Sequence, residues 1–206
     1  MPSRAKKAFD ANARDVKRLL EIHSEIGGDS PGKRYGLEVL NKSAVVLIAA
    51  IWEAYCEDIA AEAVNHLIDN LTDPSALPNE LKKKIASELK AEKHELEIWK
   101  LAGNGWKAIL AARVAILTSE RNTKLNTPKT SQINDLFNST LGLGNVSASW
   151  KWKNMTAARA ATKLDGYLTL RGAIAHRGAT ATAVKKTHVT AFFSHIKRLV
   201  VKTGGK

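Results

Sequence analysis

The sequence predicts an all-α fold, a helical bundle, and three observations predict it. Apolar residues recur at helical spacing in one segment after another. Clusters of Gly and Pro divide those segments. No stretch reads as a convincing strand, and there is no internal repeat or low-complexity tract.

Taken in order, residues 4–26 form the first helix, with Phe9, Ala13, Val16, Leu20 and Ile22 close to helical spacing. Gly27-Gly28-Asp29-Ser30-Pro31-Gly32 ends it. A long second helix is expected over residues 34–71, its core face including Leu37, Leu40, Val45, Ile48, Trp52, Tyr55 and Ile59. Residues 44–52 are the longest apolar run, and at nine residues they make a buried helix segment, about half of a membrane span. After the Pro74 and Pro78 loop, residues 80–101 read as a helix with Leu81, Ile85, Leu89 and Leu96 on one side. Gly103-Asn104-Gly105 breaks it, and residues 106–120 make another. A polar loop over 122–129 leads to a short helix at 130–141, with Ile133, Leu136 and Phe137 facing inward. Residues 142–153 read as irregular. Thr156 is an N-cap for a helix to about residue 171, where Gly172 and Gly178 mark a change of conformation. A last helix over 184–202 carries Val189, Phe192, Ile196, Leu199 and Val200, and residues 203–206 are a frayed tail.

The chain has 206 residues, read as one domain over 1–206, and a net charge of +12. The charge is uneven. Residues 1–103 hold 15 Lys/Arg and 17 Asp/Glu; residues 104–206 hold 17 Lys/Arg and three acids, Glu120, Asp135 and Asp165. A basic excess confined to one half points to a polyanionic partner, most simply nucleic acid, with a solubilising surface as the plain alternative. The single cysteine, Cys56, excludes an internal disulfide framework and a Cys-based zinc site. No apolar run follows the charged N-terminus, so no signal peptide is expected, and the reading is a cytoplasmic protein with no membrane association. No cofactor or metal is expected: His188 and His195 lack a third ligand, and the Gly103 and Gly142 turns do not continue as phosphate-binding fingerprints.

The stretch with chemical content is Leu170-Arg171-Gly172-Ala173-Ile174-Ala175-His176-Arg177-Gly178. In a straight helix, residues five apart point about 140° apart. Arg171 and His176 therefore share a small site if the helix ends or bends near Gly172, or if each faces a symmetry-related copy. This Arg-x4-His spacing in an α-helical, basic context resembles the signature of the HEPN superfamily, and most closely its RiboL-PSP-HEPN group. The stretch from Ala50-Ile51-Trp52-Glu53 to Ala54-Tyr55-Cys56-Glu57 is similar to the group's second-helix pattern. Leu125-Asn126-Thr127-Pro128, followed by Ile133, Leu136-Phe137 and Leu141-Gly142, is similar to its middle region. The resemblance covers roughly residues 35–180. It departs in one place: many members carry Asn directly after the Arg, where this chain has Gly172.

The resemblance implies a HEPN-type helical bundle with a long second helix and extra peripheral helices. It also implies a metal-independent endoribonuclease, active as a homodimer with both Arg/His pairs meeting at the interface. A toxin or phage-defence role follows from the same resemblance, with an antitoxin or other regulatory partner. His176 would be the general acid/base and Arg171 the clamp on the charged transition state. RNA carries its own nucleophile, the 2′-OH, so the products would be a 2′,3′-cyclic phosphate and a 5′-OH. A distant HEPN relative has an acid at a comparable offset before its Arg, which gives Asp165 the role of orienting Arg171 or a histidine. Glu53, at the end of an apolar run, either reaches toward Arg171 or lies on a solvated helix edge. Arg177 either touches phosphate or is a surface charge. Trp150-Lys151-Trp152-Lys153 alternates aromatic and basic residues, as in a base-stacking RNA groove, or else plugs its rings into the core. Lys185-Lys186 and Lys197-Arg198 are solvated faces that steer RNA. The rival reading, favoured by Gly172, is an inactive HEPN module that binds RNA or a partner protein; a third is a scaffold bundle with a basic surface.

Overall fold

The computed structural model describes residues 2–27, 36–119, 127–177 and 183–204. Among them lie seven α-helices: α1 (Arg4–Gly27), α2 (Glu38–Asn70), α3 (Asn79–Ala91), α4 (Gly105–Ser119), α5 (Thr130–Leu141), α6 (Ala157–Arg177) and α7 (Lys186–Thr203). Short 3-10 turns occupy Pro74–Ala76, Glu95–Leu101 and Val146–Ser149. The described residues form no strand, only an isolated bridge between Trp152 and Met155. None of the described helices is long and apolar enough to cross a membrane.

α2 is the axis of the bundle. Its 33 residues span about 50 Å at 1.5 Å per residue. It is apolar around most of its circumference, as a helix enclosed by others must be. α1, α4, α5, α6 and α7 all pack on it. Midway along it, Trp52 and Tyr55 stack at 5.9 Å, Phe9 of α1 meets Tyr55 edge-on at 5.8 Å, and Trp150 meets Trp52 at 6.0 Å. Each polar tip in this cluster has a partner, which burial requires. Tyr55 donates its hydroxyl to the Val200 carbonyl at 2.9 Å, Trp52 its indole N–H to the Pro128 carbonyl at 3.3 Å, and Trp150 its own to Thr203 Oγ1 at 2.9 Å. The approach to α7 is pinned near the start of α2: buried Asn41 donates to the Val184 carbonyl at 2.8 Å. The bonds from Asn41 and Tyr55 thus hold both ends of α7 against α2.

Three expectations change. Residues 80–101 are not one helix: α3 stops at Ala91, and the phase of the 3-10 turn that follows leaves Leu96 61% exposed. The stretch 142–153 is more ordered than its composition suggests, with the turn at Val146–Ser149 and the Trp152–Met155 bridge. Helix α6 does not end at Gly172 but runs unbroken to Arg177. A mid-helix glycine costs about 1 kcal/mol relative to alanine. Burial of Leu164, Leu168 and Ile174 along the inward side outweighs that cost. Thr156 caps α6 as expected, its Oγ1 accepting the Arg159 N–H at 3.2 Å.

Gly142 closes α5 in the left-handed region, at φ +71°, with the Leu143 N–H reaching back to the Phe137 carbonyl at 3.2 Å. A Cβ there would sit 2.5 Å from the Leu81 backbone nitrogen, so both conformation and space demand glycine.

His195 of α7 is buried, and its Nε2–H donates to the Ala160 carbonyl of α6 at 3.0 Å. The carbonyl can only accept, which sets the tautomer. Burial lowers the imidazole pKa to about 4, with nearby Lys163 adding to the shift and the Ala160 bond opposing it. The unfolded chain takes up a proton near pH 6.5 that the folded chain refuses until about pH 4. His195 therefore withdraws stability as pH falls through that window, by an amount on the order of 1–3 kcal/mol. Chemical denaturation of His195→Gln between pH 7 and pH 4 should show this loss removed.

Candidate active site

Because α6 is continuous across Gly172, Arg171 and His176 point about 140° apart and lie about 7.5 Å apart along the axis. One of the two arrangements open to the sequence is thereby removed: no bend brings the pair together within one protomer. Arg171 is half-buried on the side of α6 that meets α2, and it interacts electrostatically with Glu53. His176 is exposed in the last turn of α6.

Glu53 and Glu57 are one turn apart on α2 and so lie on one face. Glu57 is only 6% exposed and Glu53 is half-buried. Burial pushes the Glu53 carboxyl up to about 7; repulsion from Glu57 adds to this, and Arg171 pulls in the opposite direction. Glu53 thus belongs to the surroundings of Arg171 and is not a freely solvated edge. Glu57 escaped the sequence reading, although the signal was present as a second Glu four residues on in an otherwise apolar stretch. Buried Cys56 lies between them, and burial together with the two carboxylates holds its thiol far above the usual range. A thiol so protonated is a core group, not a nucleophile.

Asp165 has a different occupation from the one expected. Its Oδ1 accepts from the Thr130 backbone N–H at 2.8 Å and from Thr130 Oγ1 at 3.0 Å. It thereby satisfies an otherwise orphaned donor at the start of α5, where a negative charge also suits the helix dipole. Six residues before Arg171 on a straight helix, it lies about 9 Å away along the axis and about 120° around it. The bonds to Thr130 supply a structural reason for an acid at this place.

The Trp150–Lys153 alternation separates inside from outside. Trp150 is fully buried, so its ring is a core residue and not a base-stacking platform. Trp152 is half-buried against His195 at 5.6 Å, with the Arg198 guanidinium 5.8 Å from its ring. Lys151 and Lys153 are exposed. The side chain of Arg177 lies outside the described residues, as do Gly178, Leu125 and Asn126.

The outward side of α6 is lined by small residues. Ala158, Thr162, Gly166 and Thr169 are exposed and follow helical spacing to Ala173 and His176. A Cβ at Gly166 or Gly172 would meet nothing within 4 Å. Elsewhere, an open groove of about 820 Å³ is lined by Arg4, Asp58, Glu62, His66 and Asp69, and it includes neither Arg171 nor His176. No cluster of three His, Cys, Asp or Glu suited to a metal ion occurs among the described residues.

An all-α bundle with an Arg-x4-His pair on one continuous helix defines the class. The RiboL-PSP-HEPN family model matches residues 10–204, and the chain belongs to that family. Its domains typically act as ribonucleases or bind RNA. No curated protein and no solved structure gives a significant match.

The carboxylate pair generates a test. Glu53 binds a proton more readily folded than unfolded, so its contribution to stability rises as pH falls from about 7 toward 4.5, opposite in sign to that of His195. Glu53→Gln should be more stable than the parent at pH 8, and the difference should close by pH 5. A pH-independent difference in denaturation midpoints would contradict the assignment.

Proposed function

We propose that this protein is a metal-independent endoribonuclease that works as a homodimer, with its site assembled from two copies of α6. The observation that carries the reading is the exposed His176 at the end of an outward face of small residues, on a helix too straight to bring Arg171 beside it. Small side chains let a second α6 come close, so that each imidazole meets groups of the other copy. One histidine removes the 2′-OH proton of the RNA. The 2′-oxygen attacks phosphorus, the bond to the 5′-oxygen breaks, and the second histidine protonates that oxygen. Arg171, held beside the Glu53 carboxyl on the side of α6 that meets α2, acts on the charged phosphorane through its standing positive charge as the phosphorane's charge develops. Arg177, Lys151 and Lys153 contact phosphates outside the reacting link. The biological setting that fits such an enzyme is a toxin or phage-defence effector kept in check by an antitoxin or other regulatory partner.

A second reading has its own observation. Arg171 faces the carboxylates of α2, and Gly172 offers no polar side chain next to it. On this reading the pair is structural, and the protein binds RNA or a partner without cleaving.

Structured RNA incubated with the protein in EDTA distinguishes the two. The enzyme yields 2′,3′-cyclic phosphate and 5′-OH ends, and His176→Ala lowers the rate by about 10² to 10⁴-fold. Retention of RNA with intact ends supports the binding module. The dimer has a separate check. Thr162→Glu, at an exposed position of the protomer, should keep the helical circular-dichroism spectrum, give a monomer by light scattering and abolish cleavage. A dimeric, active Thr162→Glu variant would remove α6 from the interface.

A further inference from the structure

We infer that the face built by α6, α7 and the turn closed by the Trp152–Met155 bridge is a track for the phosphate backbone of RNA, running toward the site at His176. The inference rests on the ribonuclease reading for what happens at the end of the track, but not for the binding itself.

Charge is the first observation. Among the described residues, the surface ion pairs run from Lys6–Asp10 on α1 to Arg113–Glu88 between α4 and α3, within the first 113 residues. Arg159 and Lys163 of α6, Lys197 and Arg198 of α7, and Lys151 and Lys153 of the turn are all exposed, and none belongs to one of these pairs. α7 contains no Asp or Glu. Asp165, the acid of α6, is half-buried on Thr130.

Contiguity is the second. The Arg198 guanidinium lies 5.8 Å from the Trp152 ring, Trp152 lies 5.6 Å from His195, and His195 lies 5.9 Å from Tyr167. The Lys163 ammonium is 5.8 Å from the Tyr167 ring, and that of Lys197 is 4.7 Å from Phe193. A series of ring contacts therefore runs from the turn across α7 to α6, with Arg198 at one end and Lys163 at the other, while Lys197 lies over Phe193 of α7, outside the series. Gathering cations without acids is unfavourable until an anion arrives, and a row of them suits a polyanion better than a single small one.

Position is the third. On the helical wheel of α6, Arg159 and Lys163 lie beside the small-residue face and not in it, so they stay open when a second copy covers that face. Lys163 precedes His176 by 13 residues, about 20 Å along the axis and about 140° around it, so an RNA backbone passing from one to the other crosses the edge of α6. Short substrates reach the site without touching the track.

The test uses the full chain and the quadruple variant Arg159→Gln/Lys163→Gln/Lys197→Gln/Arg198→Gln, with Arg14→Gln/Lys17→Gln on α1 as the control. Binding of a fluorescent single-stranded RNA of about 20 nucleotides is measured against salt. The slope of log K against log salt should shrink by about 3 in the quadruple variant, at roughly 0.7 per lost phosphate contact, and stay unchanged in the control. Cleavage of this RNA should fall at least about tenfold in kcat/KM near 0.1 M salt, while cleavage of a ribodinucleotide keeps its rate. An unchanged salt slope in the quadruple variant overturns the track. So does a slope that changes for polyglutamate or phosphatidylserine vesicles but not for RNA. The slope change without cleavage of any RNA by the parent protein keeps the track and removes the nuclease.

Discussion

The structure depends on one constraint: α2 is largely covered by other helices, and the polar groups on its buried faces must be satisfied by a neighbour. Its apolar residues draw five other helices around it. Its polar groups then dictate detail that apolar packing alone leaves loose. Asn41 takes the Val184 carbonyl, Tyr55 takes the Val200 carbonyl, and Trp52 takes that of Pro128. Hydrophobic burial is non-directional, whereas an unmet buried hydrogen bond carries a definite penalty, so these few bonds choose one packing among many.

The same enclosure gives the candidate site its electrostatics. Two carboxylates one turn apart on a buried helix repel each other and lack water, and the Arg171 guanidinium on α6 acts in the opposite direction on Glu53. An arginine in this setting is held in place by charge as well as by packing. Since arginine remains protonated throughout the accessible pH range, it keeps its charge whatever the state of Glu53. His176 is held differently: it lies in the last turn of α6 and is exposed. One member of the pair is thus tied to the core and the other open to a partner, a division natural for a site completed by a second copy.

Charge and packing divide the remainder of the molecule. The acids lie mainly along the first half, where they pair with nearby bases, cap α1 through Glu62 and face the open groove. The second half keeps only a few acids, and the one on α6 is committed to the start of α5. Basic side chains on α6 and α7 lie over aromatic rings, with their stems against the protein and their charges outward.

Helical periodicity and Gly/Pro punctuation were enough to read the all-α class, the long buried second helix, the 130–141 helix from end to end and the Thr156 cap, because these follow from near-neighbour spacing along the chain. The Arg-x4-His pair and its family were legible for the same reason: they are local patterns. What the linear pattern could not carry was anything decided by contacts far apart in sequence. Gly172 read as a break because isolated glycine disfavours helix, but burial of Leu168 and Ile174 on either side carries α6 through it. The family resemblance gave Asp165 an orienting role near Arg171, and spacing along the chain could not show its bonds to Thr130, 35 residues away. Trp150 read as a ring for bases or, more readily, for the core, and its packing on Trp52 places it in the core. Sequence spacing determines which helices form and which faces are apolar; which side chain meets which is decided by tertiary packing, because burial, charge pairing and hydrogen bonding act between surfaces that the chain brings together only when folded.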